Sequence, residues 1–305
     1  MSVYLPAAAA SGNLTVAVRL NPAGQLEWSH WNLGAAGTPW AQLPVTGTIV
    51  LTDATPAVSF RTSAGGVLGV VMIRDRATGF LFESLLDLSG AGMLLGWVQL
   101  PGIVSNSAPA LTDGNGVFGP SIAVAQSSNP SGQLAINNFL IDQPPAVPPP
   151  NYWLPIGPAG QMMGGPAAAI VAQKQTQKGV AEAPYIFIGR NVGGRIQLIQ
   201  GDVFAQHITV GDLNFQSKIG PAMASANNRT VIVAVDESGE MFSDWWDFGG
   251  GGHGWVSLGA NVKTTVPPAI SLVDKGQYMF VLATDATGVV RTFQGNVGGA
   301  PVGWN

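Results

Sequence analysis

The chain has 305 residues, only 10% of them charged, and a formal net charge of −4 from 13 Lys and Arg against 17 Asp and Glu. No basic stripe exists to displace counterions, which excludes nucleic acid as a partner. The apolar runs are strand-length and too short to span a membrane as helices, so no membrane insertion is expected. The absence of cysteine removes disulfides, thiolate catalysis and Cys-based zinc sites.

The N-terminus, MSVYLPAAAASGN, has neither a basic n-region nor a long apolar core. The expectation is a cytoplasmic protein or one released by a non-classical route. Along the chain a Pro-Ala pair followed by small or apolar residues recurs at Pro6, Pro56, Pro109, Pro166, Pro221 and Pro268. The spacings are 50, 53, 57, 55 and 47 residues, and the path from Pro268 through the terminus to Pro6 adds 43. A period of this size that survives the jump between termini predicts an all-β fold, a single β-propeller of six four-stranded blades closed between its N- and C-terminal blades. The expected blades are 1–50, 51–104, 105–160, 161–216, 217–263 and 264–305, in one domain.

Each copy begins with the Pro-Ala segment. A nearly continuous apolar run follows: LTVAVRL (Leu14–Leu20), LGVVMI (Leu68–Ile73), SIAVAQ (Ser121–Gln126), YIFIGR (Tyr185–Arg190), TVIVAV (Thr230–Val235) and YMFVLA (Tyr278–Ala283). Such runs suit a strand covered on both faces by neighbouring blades. The third segment obeys a ruler, a glycine followed eight positions later by Asp or Asn: Gly24/Asn32, Gly79/Asp87, Gly194/Asp202, Gly239/Asp247 and Gly288/Asn296. The third copy breaks it, with Leu140 eight after Gly132. The glycine is expected at positive φ in the turn before the strand. The fourth segment is marked by Trp40, Trp97, Trp153, Trp255 and Trp304, and only the fourth copy lacks a tryptophan there. The Gln143–Pro150 stretch, QPPAVPPP, is expected to stiffen a loop inside the third blade.

The chain contains no GxSxG, HExxH, P-loop or dinucleotide fingerprint. His30, His207 and His253 occupy different repeat positions, which argues against a symmetric metal cage. Asp113-Gly-Asn115-Gly lacks the remaining ligands of a calcium loop. No catalytic residue, metal or cofactor is therefore assigned. The acids Asp75, Asp236 and Asp285, and Asp87, Asp202 and Asp247, recur by repeat position, as turn-capping residues do.

Two tryptophan pairs interrupt the repeat: Trp28 with Trp31, and Trp245 with Trp246. Other copies carry Glu83/Leu86, Leu198/Gly201 and Thr292/Gly295 instead. An aromatic face stacks on the apolar side of a neutral sugar while Asp, Asn and His bind its hydroxyls. Trp28, His30, Trp31, Asn32, Asp244, Trp245, Trp246 and Asp247, with Trp255 beside them, are accordingly the candidate sugar-binding residues. Blade-face packing is the competing reading for the same side chains.

The segments GWVQLP, GWVSLG, PAVSF, PAMAS, DESG and DATG resemble the bacterial β-propeller lectins typified by the fucose-binding Photorhabdus lectin. That resemblance implies a lectin with several glycan pockets on or between blades, glycans or glycoconjugates as partners, and room for a homo-oligomer. Members of that family usually have seven blades, whereas six copies occur here. Two other readings stand beside it: a structural propeller subunit binding protein partners, and a propeller glycosidase or lyase.

Overall fold

The structure is a computed structural model that describes residues 4–45, 54–63, 66–88, 92–93, 96–113, 121–128, 131–139, 153–156, 163–170, 185–202, 209–247, 250–299 and 303–305. The Gln143–Pro150 stretch, Asn115, Leu140 and His207 lie outside these residues.

The described strands form six antiparallel sheets in chain order. In the first, Leu5–Ser11, Leu14–Leu20, Leu26–Asn32 and Ala41–Leu43 pair as a meander. Blades three, four and five repeat this four-stranded order, and blade two adds a two-residue strand at Gly92–Met93. Blade six has three strands, and its fourth place is taken by a bridge from Phe293 to Trp304, with Thr292 and Asn305 exchanging backbone hydrogen bonds.

The innermost strands are Leu5–Ser11, Ala57–Ser63, Ala110–Asp113, Met163–Ile170, Ala222–Ala226 and Ala269–Val273. Each packs on the next, and the last packs on the first. All six Pro-Ala pairs line one axial cavity of about 130 Å³ that carries no charged side chain. A proline at the start of an innermost strand is tolerated because it has no N–H to lose from a ladder. The small alanine beside it lets six strands converge. Thr284 of blade six donates its hydroxyl to the Tyr4 carbonyl (2.6 Å), fastening the last blade to the start of the first. The architecture is that of a six-bladed β-propeller.

The apolar cores lie between blades. Val16, Val18, Leu26 and Trp28 meet Val58, Phe60, Val71 and Leu86 of blade two. Val231, Val233 and Met241 meet Ile270, Met279 and Phe293 of blade six. Second strands are buried along almost their whole length, as in Thr230–Val235, because both faces are covered. All six glycines of the third-segment ruler have positive φ, between 75° and 89°. Two also leave no room for a side chain: a Cβ on Gly79 would come within 2.8 Å of the Ser105 carbonyl, and one on Gly239 within 3.0 Å of the Thr264 carbonyl.

Four of the recurring tryptophans fasten their blade to the one before. The indole N–H groups of Trp97, Trp153, Trp255 and Trp304 donate to the carbonyls of Pro44, Pro101, Leu213 and Leu258, at 2.9–3.1 Å. The turn acids act as caps. Asp75 accepts backbone N–H groups of its own turn on both side-chain oxygens, and Asp236 and Asp285 each accept two on one oxygen.

Candidate functional site

The nine sequence-predicted residues fall into two separate groups, and most are committed to packing. Alternation along Leu26–Asn32 turns Trp28 and His30 toward blade two and Trp31 toward blade six. Trp28 is 6% exposed, sits in the core between blades one and two, and stacks on His30 (5.3 Å, 17°). Trp31 packs edge-on against Phe280 of blade six. Asn32 is exposed at the strand end.

In blade five, Trp246 is buried against Ala167 and Ile196 of blade four. Trp255 packs on Phe215 (4.3 Å) and holds the Leu213 carbonyl. Asp244 is buried, and one of its oxygens accepts the backbone N–H groups of Trp245, His253 and Gly254. This fastens the glycine-rich loop after the strand.

Trp245 is half-buried, but its ring is covered. His253 stacks on it at 3.6 Å and 14°, and the Arg229 guanidinium lies 4.3 Å from its centroid. Two groups that close cannot share a face, so they sandwich the indole. Asp247 forks onto Arg229 at 3.0 and 3.3 Å. The two tryptophan pairs are also not equivalent: Trp28 lies where blade five has Ser243, and Trp245 lies where blade one has His30.

A second arrangement occurs where blade six meets blade one, and pattern reading missed it. Arg19, next to last in the second strand of blade one, faces Glu27 directly across the ladder. Arg19 Nε donates to Glu27 Oε2 at 2.7 Å. The guanidinium is flanked by the Tyr4 ring (4.3 Å to Cζ) and the Trp40 ring (4.0 Å). The two side chains are 15% and 21% exposed, so this pair is set in a crevice. The Lys218–Glu237 pair, at 60% each, lies on the open surface.

Asn21 completes the crevice. Its side-chain oxygen accepts the N–H groups of Ala23 and Gln25, which orients its amide to donate to Glu27 Oε1 at 2.9 Å. Among the described residues Arg19 spends one of its five N–H donors, on Glu27. The remaining donors lie beside a carboxylate and two aromatic rings. That set can hold vicinal hydroxyls by charge-assisted hydrogen bonds while a ring face covers the apolar side of the same molecule. The useful signal in the sequence was a paired Arg and Glu across one turn in a chain with few charges. Tyr4 and Trp40 join them only through the fold.

No protein-family model matches the chain, and no curated protein sequence matches it. Solved structures do. AofleA from Arthrobotrys oligospora superposes with a TM-score of 0.68 at 12% identity, covering 100% of this chain and 87% of the other. The six-bladed Aleuria aurantia lectin, a fungal lectin with a novel mode of fucose recognition, gives 0.66 at 13%, covering 100% and 94%. A lectin from Burkholderia pseudomallei gives 0.64 at 18%, covering 100% and 98%. These likenesses place the chain in the six-bladed propeller fold.

Proposed function

We propose that this chain is a carbohydrate-binding lectin that takes a neutral sugar at the junction of blades six and one. The observation that carries the reading is the Arg19–Glu27 pair, half-buried between Tyr4 and Trp40. A guanidinium and a carboxylate side by side offer donors and acceptors together, which suits a diol better than an anion or a cation.

Fucose is the first sugar to try. A point mutant of Aleuria aurantia lectin has been solved with α-methyl-L-fucoside and with Fucα1-6GlcNAc, and the sequence segments above resemble the fucose-binding Photorhabdus type. Binding without turnover fits the acids, since Asp75, Asp236 and Asp285 are engaged in capping turns.

The test is isothermal titration of the purified chain with α-methyl-L-fucoside, followed by a broad glycan array. Arg19→Ala is expected to weaken binding by about ten- to a hundredfold, the loss of hydrogen bonds to a charged donor. An array on which the wild-type chain retains no glycan would refute the lectin reading.

A further inference from the structure

We infer that the propeller binds one sugar per chain, although its scaffold is repeated six times. The inference rests on the lectin reading above and deepens it. The cross-strand register places one residue pair of each blade at the position of Arg19 and Glu27. These pairs are Ile73/Phe82 in blade two, Ala125/Ala135 in blade three, Arg190/Gln197 in blade four, Ala234/Phe242 in blade five and Ala283/Arg291 in blade six. Four of the five combine no cation with an acceptor. Arg291 of blade six faces an alanine and gives its Nε to Asp285 instead.

The tryptophans sort the blades a second time, independently of charge. Blades two, three, five and six keep the fourth-strand tryptophan, each docked through its N–H on the preceding blade, and among the described residues none of the four lies against a guanidinium. Blade four keeps an arginine at the paired position and has no tryptophan in its outer strand, Thr209–Gln216. At this register position only blade one, among the described residues, has the guanidinium, the carboxylate and a tryptophan placed against the guanidinium. The other such set, Arg229, Asp247 and Trp245 of blade five, lies elsewhere on its blade and has its indole already covered by Arg229 and His253. A molecule needing all three at that position finds them once.

The biological consequence is a change of mode. A ring with several equivalent pockets gains avidity on a glycan-bearing surface, by orders of magnitude for linked sites. A one-site chain recognises a single glycan terminus with its intrinsic affinity and does not crosslink glycoconjugates as a monomer.

Native mass spectrometry of the full chain with α-methyl-L-fucoside reads the stoichiometry directly. The expected result is one sugar per chain at saturation, abolished by Arg19→Ala and unchanged by Arg190→Ala. Arg19→Lys, which keeps the charge but loses the planar fork, is expected to fold as wild type and bind at least about tenfold more weakly. Two or more sugars per wild-type chain, or one that survives Arg19→Ala in a folded protein, would overturn the single-site inference and leave the lectin reading standing. No sugar bound to the wild-type chain would overturn both.

Discussion

Asn21→Asp separates a residue that positions Glu27 from one that merely shapes a turn. The aspartate keeps the side-chain oxygen that accepts the Ala23 and Gln25 N–H groups, so the cap survives. It loses the amide that donates to Glu27 Oε1 at 2.9 Å and sets a second carboxylate there. Two like charges about 4 Å apart near a protein surface repel by up to about 4 kcal/mol. Glu27 escapes most of this by rotating away, which withdraws it from Arg19. The remaining cost is that of a hydrogen bond to a charged group, about 1.5–3 kcal/mol, or roughly ten- to 150-fold in sugar affinity.

Isothermal titration with α-methyl-L-fucoside measures that loss, and differential scanning fluorimetry is expected to show a Tm shift below about 4 °C. The sign with pH follows. Mutual repulsion raises the pKa of one of the two carboxyls, so the repulsion is present above that pKa and fades as pH falls through it. The ratio of wild-type to variant affinity therefore shrinks toward pH 4. An N21D variant that binds as wild type at neutral pH would refute the positioning role.

Three further outcomes test the scaffold. Trp255→Phe keeps an aromatic ring against Phe215 but drops the bond to the Leu213 carbonyl, and chemical denaturation should show a loss of about 1 kcal/mol; an unchanged midpoint would count against the latch. At Asp285, burial pushes the carboxyl upward, but the Thr287 hydroxyl, Arg291 and the Val289 and Thr287 N–H groups outweigh it and hold the carboxyl well below its usual range. A depressed native pKa stabilises the fold above the unfolded value of about 4 and the contribution is lost as pH falls below it. The acid limb of wild-type Tm should thus be steeper than that of Asp285→Asn, and parallel limbs would contradict this. Thr284→Val removes the 2.6 Å bond to the Tyr4 carbonyl and should cost about 1 kcal/mol in the same denaturation assay, with a loss near zero speaking against the fastening role.

Much of the scaffold is visible in the chain because it is enforced six times. The Pro-Ala pairs mark the innermost strands, and the ruler glycines mark turns where only positive φ closes the hairpin. The tryptophan of the outer strand is legible for the same reason, since each repeat uses it alike. The site is harder to read. A break in the repeat draws attention to Trp28, yet the space between two blades must be filled by whatever volumes the neighbours leave, and Trp28 fills it. Arg19 and Glu27 stand eight residues apart, an ordinary separation across a hairpin. What distinguishes them is Tyr4, from before the first strand, and Trp40, from before the fourth, which only tertiary packing brings to the guanidinium.

The place of the crevice follows from how the propeller is fastened. Four of the six blades are held to their predecessor by an indole N–H. At the meeting of blades six and one the fastening is done differently, by Thr284 on the Tyr4 carbonyl and by Trp31 against Phe280. Trp40 lies instead against Arg19. A repeated scaffold can vary most cheaply where its fastening is not the repeated one. The same junction unites Tyr4, whose carbonyl fastens the blades and whose ring flanks the guanidinium, so ligand binding and blade docking draw on one residue. A bound sugar should therefore stabilise the docked junction by mass action.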